Sequence, residues 1–485
     1  MGFTLIDLGV LIVYLVAVLF IGLYFSKKDM DGKEFFKGDG TIPWWVASVS
    51  IFATLLSPIS FLSLVGNSYS GTWSLWFAQL GVLIAIPLTI KFFLPVFSKL
   101  KIDTAYHYLE IRYKSKGLRV IGAIIFIIYQ IGRMSIIMYL PSMVLSRLSN
   151  INVNIFIILM GAIAIVYSYA GGIKSVLWTD FIQGVVLILG VIGTLIFILF
   201  KLNDGFGDIV NALFNEQKFL SSNDVLFDPN LLKTSIFMLV VGGGLNTFSS
   251  YISSQDVVQR FTTTTDIKKL NKMTYANGIL SIGVATLFYL IGTALFVFYR
   301  QNPNFLVDVA QDQIYASFIA YQLPVGITGL LLAAIYAASQ STLSTGLNSV
   351  ATSWTLDIQN YITKGLSFKA QTKIAQSVSL LVGVVSVIVA MILATSEINS
   401  AYEWFNGFVG AVLGVLAGIF VLGVICKNAT KISAYLGFIT ATIIVLSLKY
   451  MNLNIEVSIW AYSLITIVVT VGVGFVVSLF NRKNN

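Results

Sequence analysis

Ala53-Thr54-Leu55-Leu56-Ser57-Pro58-Ile59-Ser60 sets a proline in the middle of an apolar run extending from about 44 to 70. Pro58 has no N–H to give an α-helix, and it disfavours α geometry at Ser57. In lipid the carbonyls freed this way need partners, so broken backbone is tolerated only where it is buried in protein or lines a cavity. A simple kink would also account for this segment alone. A second weak point is Gly242-Gly243-Gly244, followed by Leu245-Asn246-Thr247, near the centre of the apolar run 233–258. These are the second and seventh runs of the chain. Breaks five helices apart are what an inverted five-helix repeat produces.

The rest of the composition supports a membrane setting. With 57% hydrophobic and 11% charged residues over 485 positions, the chain has too little polar surface to cover a soluble globule. It reads as an all-α polytopic membrane protein. Runs of about 20 apolar residues predict thirteen spans: 5–25, 44–70, 73–98, 118–146, 153–170, 176–200, 233–258, 275–299, 326–354, 374–395, 400–425, 432–449 and 457–480. The third and fourth each have room for a kink. With the N-terminus outside, 22 Lys and Arg fall on the cytoplasmic side and six outside. The positive-inside rule selects that orientation, with the C-terminus cytoplasmic, in the cell membrane. The net charge of +9 is therefore a topology signal and not a nucleic-acid patch. The first run lacks a basic leader and a small-residue cleavage site, so it is expected to span rather than be removed. One membrane domain over 1–485 is expected, with repeats at about 44–200 and 233–425. The segment 202–232 is expected outside, as a short surface helix or lid carrying Asp204, Asp208, Glu216, Asp224 and Asp228.

Charged and hydroxylated residues inside the spans narrow the function. Ala170-Gly171-Gly172-Ile173-Lys174-Ser175 turns the chain between two spans, and Asp180 follows five residues later. A carboxylate so placed costs roughly 2.5–3.5 kcal/mol on insertion scales, and a cation is its natural partner. Lys91 lies near the end of its span and can snorkel. Arg133 lies more than ten residues from either end of its own, in Ile-Tyr-Gln-Ile-Gly-Arg-Met-Ser. It is either a structural pair with a carbonyl or acid, or a ligand for an anionic solute. In the run 326–354, Ser341, Ser344, Thr345 and Asn348/Ser349 share one helical face. Such hydroxyls often bond back to the carbonyl four residues earlier or serve as small packing residues. Together with free carbonyls they also make an oxygen set suited to sodium, by analogy with other hard cations. A single cysteine, Cys426, and a single histidine, His107, leave no disulfide framework, no Cys/His metal site and no catalytic cluster. A channel would share the hydropathy, but it has no reason for paired broken helices around isolated ion ligands.

Three stretches carry a family resemblance: Ser168-Tyr169-Ala170-Gly171-Gly172-Ile173-Lys174-Ser175 with Trp178-Thr179-Asp180, Ser253-Ser254-Gln255-Asp256-Val257-Val258-Gln259-Arg260, and Ala338 with Ser341-Thr342-Leu343-Ser344-Thr345, Leu347, Asn348 and Ser349. As a set they resemble the sodium:solute symporters. Ile173 stands where the family signature has Leu, Met or Phe. The resemblance implies a leucine-transporter-type fold: two inverted five-helix repeats with one leading and two trailing helices. It implies co-transported sodium, with a first site made by carbonyls of Ala53, Leu56 and Ala338 and hydroxyls of Ser341 and Thr342. A second site would use Asp180, Ser344 and Thr345, giving two ions per solute. Ser57, Ser60, Gln79 and Arg133 resemble the pattern of the bacterial sialic acid transporters, though Leu55 and Leu75 replace a hydroxyl and an aromatic found in some of them. An acidic sugar, N-acetylneuraminate first, is thereby the expected solute. A sugar, an amino acid or another monocarboxylate is the alternative. An arginine suits a carboxylate because its planar fork bonds both oxygens. A functional monomer in the lipid bilayer is expected, with no nucleic-acid partner.

Overall fold

Segments that must satisfy their own backbone groups in lipid become helices, and the described residues bear this out. The computed structural model describes residues 4–26, 42–100, 102–149, 151–170, 173–305, 309–396, 400–451 and 456–481, and no strand occurs among them. Among the described residues, ten helices are long and apolar enough to cross a membrane, and one bent pair makes an eleventh. The expected count of thirteen is not confirmed. The first and fifth expected spans are helical over Leu5–Ser26 and Val153–Ala170. Gly171 and Gly172, expected to turn the chain, lie outside the described residues.

The second span breaks where the sequence places it. Helix α1 covers Leu5–Ser26; α2 (Trp44–Leu55) and α3 (Pro58–Ser70) meet at a bend of 63°. Leu56 and Ser57 between them are extended, with φ/ψ of −79°/110° and −105°/166°. The third span is segmented too, into α4 (Phe77–Leu80), α5 (Val82–Phe92) with Pro87 inside it, and α6 (Leu94–Leu100). After α7 (His107–Tyr113) come the long α8 (Lys116–Ser149), α9 (Val153–Ala170) and α10 (Ile173–Leu199). A short helix follows, α11 (Phe206–Phe214), in the segment expected to carry one.

The seventh span corrects the sequence reading. Helix α12 (Ile236–Ser253) runs unbroken through Gly242-Gly243-Gly244, and the break comes at Ser254, which is extended at φ −88°, ψ 117° before α13 (Gln255–Phe261). The glycines serve close packing instead. A Cβ on Gly243 would stand 2.2 Å from the Ala78 carbonyl oxygen, and one on Gly242 would stand 2.3 Å from that of Trp460. Hydrogen in place of a side chain lets α12 touch the backbone of the third span.

The remaining elements are α14 (Ile267–Gln301), α15 (Ile314–Gln322), α16 (Ile327–Ser353), α17 (Phe368–Leu393), α18 (Ala401–Ile425), α19 (Lys431–Tyr450) and α20 (Tyr462–Asn481). Helix α16, which carries the hydroxyl row, is buried nearly throughout. Its N-terminus is capped from the leading helix: Asp7 Oδ1 accepts the N–H groups of Gly326 at 2.7 Å and Gly329 at 2.9 Å. A carboxylate there satisfies orphan donors and matches the positive end of the helix dipole. Gly326 sits at φ 89°, a backbone region that side chains avoid.

Polar ties close both ends of the bundle. Behind α11, Lys218 donates to the carbonyls of Ser68, Tyr69 and Gly71 at 3.2, 2.7 and 2.8 Å, capping the end of α3. Burial pushes its ammonium down to about 8 while Glu216 pulls the other way, and the three carbonyls stand in for the lost water. At the opposite end, Arg119 of α8 bridges Glu110 at 2.8 Å and Asp357 at 2.6 Å.

Candidate functional site

Both helix breaks expose backbone carbonyls, and side chains from other helices satisfy them. The Ala53 carbonyl accepts the Ser341 hydroxyl at 3.2 Å, and the Thr54 carbonyl accepts Arg133. At the second break the Ser253 carbonyl accepts the Tyr106 hydroxyl at 3.0 Å, while Gln255 takes the Ala105 N–H at 2.7 Å. The broken backbone is thus buried in protein, as lipid requires.

Four of the five residues expected at the first sodium site come together. Ser341 also reaches the Ala338 carbonyl at 3.4 Å, and Thr342 donates to that same oxygen at 3.0 Å. Ala53 closes the group through its bond from Ser341. Leu56 stands at the break just beyond and lines the neighbouring cavity. Carbonyls and hydroxyls from α2 and α16 thus converge without a net charge, which suits a monovalent hard cation.

The residues expected at a second sodium site share their space with a cation the sequence reading placed elsewhere. Asp180 is fully buried on α10, and its Oδ2 accepts from Ser50 at 2.7 Å, Thr345 at 3.2 Å and Arg260 at 2.6 Å. Arg260, one of the 22 cations expected on the cytoplasmic side, lies wholly buried on α13, and Arg119, another of them, is also a buried ion-pair partner. Arg260 further donates to Thr345 at 2.7 Å and to the Asp256 carbonyl. Asp180 Oδ1 has no protein partner, nor has either polar atom of Gln183 one turn on. A buried anionic oxygen without a donor is costly and draws a cation. Ser344, the third residue of this set, donates to the carbonyl of Ser341 on its own helix at 3.1 Å.

Beside the first break lies a cavity. Leu55, Leu56, Ser60, Gln79, Tyr129 and Arg133 are on its wall, and α12 and α18 add Asn246, Thr247, Tyr402 and Asn406. Three of the four residues expected to meet the solute are therefore there. Ser57 is not on the wall; it is buried at the break, just before α3, and its side chain makes no capping bond there. Gln79 donates to the Tyr402 hydroxyl. Arg133, only 2% exposed, bonds Asp256 and the Thr54 carbonyl at once. The two sequence alternatives for this arginine are therefore not exclusive: it is a structural pair, and it sits on the cavity wall.

The sequence reading gave no role to Asp256, Arg260, Asn246 or Tyr402. Asp256 and Arg260 were legible as opposite charges four apart in a short helix, the spacing of one helical face.

A family model described as the sodium:solute symporter family matches residues 35–441. The sodium/sialic acid symporter SiaT of Proteus mirabilis (strain HI4320) is 35% identical over 450 residues, covering 92% of this chain and 90% of that one. The sodium/sialic acid symporter NanT of Aliivibrio fischeri (strain ATCC 700601 / ES114) is 31% identical over 475 residues, covering 98% and 93%. A solved structure of a Na+-coupled sialic acid symporter, in a substrate-bound outward-open state with a novel Na+ site, superposes with a TM-score of 0.91. It is 33% identical and covers 98% of both chains.

Proposed function

This chain belongs to the sodium:solute symporter family, and from that premise we propose that it carries a sialic acid, N-acetylneuraminate first, across the cell membrane with two sodium ions. Arg133 on the cavity wall is the observation that carries the solute assignment. A guanidinium in a site walled by helices, next to Ser60, Gln79 and Asn246, offers a carboxylate its charge and a polyhydroxylated ring its hydrogen bonds. Ser57 supports the site from the break beneath it. The first ion takes Ala53, Leu56, Ala338, Ser341 and Thr342. The second takes Asp180, Ser344 and Thr345, an assignment supported by the unpartnered Asp180 Oδ1. The protein works as a monomer, with its N-terminus outside and its two repeats, about 44–200 and 233–425, rocking around the cavity.

Uptake into liposomes tests this reading. Labelled N-acetylneuraminate should accumulate under an inward sodium gradient, saturate, and leave the vesicle chemically unchanged. Unlabelled N-acetylneuraminate should compete it out, and neutral hexoses should not. Uptake that ignores the sodium gradient, or that glucose blocks as well as the acidic sugar does, would overturn the assignment.

A further inference from the structure

Asp256 holds the charge that an acidic solute would need. Its Oδ1 accepts the Ser254 hydroxyl and the Val257 N–H at 2.9 Å, which fixes the carboxylate at the first turn of α13. Its Oδ2 accepts the Gln130 amide at 3.0 Å and the guanidinium of Arg133. The cation on the cavity wall is thus already matched by a protein carboxylate. An entering anion meets a neutral pair, and two carboxylates crowding one guanidinium in a low-dielectric site repel each other. The bonding of Asp256 is lopsided, however. Three of its four hydrogen bonds come from Ser254, Val257 and Gln130, and only one from Arg133. When Arg133 turns away, Asp256 keeps those three and is left buried but not bare.

We propose that Asp256 is a built-in stand-in for the solute's carboxylate, holding Arg133 in the empty carrier and yielding it to the incoming anion. The proposal rests on the reading that Arg133 meets that carboxylate. Asp256 then sets specificity as a positioning residue, because only a ligand bearing its own negative charge can draw the guanidinium away. A neutral analogue leaves the pair closed. The exchange is also linked to the cation sites. The Asp256 carbonyl accepts Arg260, and Arg260 in turn holds Asp180 at 2.6 Å, so one turn of α13 spans the two charges. An ion arriving at Asp180 competes with Arg260 for it, and a solute arriving at Arg133 competes with Asp256. Each ligand thereby loosens α13 at one end, the kind of shared element through which two sites couple.

The test is calorimetric binding of N-acetylneuraminate and of its methyl ester to the purified full chain in sodium. In Asp256→Asn the stand-in loses its charge and Arg133 is left unpaired, so the acid gains and the ester does not. The acid-to-ester affinity ratio should rise about tenfold or more. Gln130→Met acts in the opposite sense: with one support of Oδ2 gone, Asp256 grips Arg133 harder, and the ratio should fall about threefold or more. An unchanged or lower ratio in Asp256→Asn makes Asp256 a strut and overturns the proposal. Should that variant not fold, Gln130→Met decides alone, an unchanged or higher ratio overturning it. A wild type that binds neither compound, or binds both equally, defeats the carboxylate reading of the cavity itself, an outcome distinct from a wild type that prefers the acid while both variants leave its preference untouched.

Discussion

Arg133 does at one position what a lysine cannot. Its planar fork spans Asp256 on one side and the Thr54 carbonyl on the other, so it ties α13 to the broken end of α2 while facing the cavity. An ammonium is a point charge that cannot hold both at the same geometry. Arg133→Lys is therefore expected to lose roughly a hundredfold or more in affinity for the acidic sugar, the scale of breaking one partner from a buried charged pair. Sodium binding in the absence of sugar should persist, seen as stabilisation of the variant by sodium in thermal unfolding. Near-normal sugar affinity in the variant would reduce Arg133 to a strut. Asp180 calls for a gentler change, because truncating its side chain removes the oxygen that accepts from Ser50, Thr345 and Arg260 as well as the charge. Asp180→Asn keeps the shape and removes the charge that a second sodium would use. The sodium Hill coefficient for uptake should drop from about two to about one. A coefficient that stays near two in the variant would place the second ion elsewhere.

Among the elements, the breaks show what the sequence can and cannot say. Pro58 announces its own break, because a missing N–H and a restricted neighbour are local facts. The break at Ser254 carries no such residue, and the glycines upstream of it pointed to the wrong place. They mark a contact with backbone distant in sequence, and a lone sequence does not distinguish a glycine needed for bending from one needed for closeness. The ion pairs were hidden for the same reason. Arg133 and Asp256 are 123 positions apart, and periodicity within a helix does not report on its neighbours. A charge count places every cation beyond an apolar run in water, whereas Arg260 is buried. The hydroxyl row of α16 was legible because its spacing is local. The close contact of α12 is testable in its own right. Gly243→Ala drives a methyl to 2.2 Å from the Ala78 carbonyl, so overpacking should cost roughly 1–3 kcal/mol and lower the unfolding temperature in detergent. Gly193→Ala on α10 meets nothing within 4 Å and should hold or gain stability, by up to about 1 kcal/mol. Equal behaviour of the two variants would mean that α12 has slack against the third span.

At the scale of the whole carrier, orientation and ion count together determine what the machine can do. Asp7 near the start of α1 caps the start of α16, so those two helix ends share one face of the bundle. That is the pattern expected when the first and ninth spans run in the same direction, and the orientation proposed from the charge asymmetry would put both starts outside. A cysteine at Ser222 in the segment beyond α11 should then react with an impermeant reagent on intact cells, the native Cys426 being buried. Reaction only after permeabilisation would reverse the orientation. From there the ion count becomes a matter of energy. A tenfold sodium gradient supplies about 1.4 kcal/mol per ion, and 100 mV about 2.3 kcal/mol per net charge. Two sodium ions with one monovalent anion move one positive charge inward, so the two terms give roughly 5 kcal/mol, or several thousandfold accumulation. One sodium ion with the same anion moves no net charge and is held to about tenfold, whatever the potential. Proteoliposomes clamped at about 100 mV with a tenfold sodium gradient distinguish these cases without any mutation, because each predicts a different sugar gradient at which net flux stops. The oxygens around Asp180 predict the larger gradient, and with it an inward current of one charge per sugar. Zero current and a tenfold limit would leave the Ala53–Ser341 group as the lone ion site and make the Asp180–Arg260 pair a structural bridge.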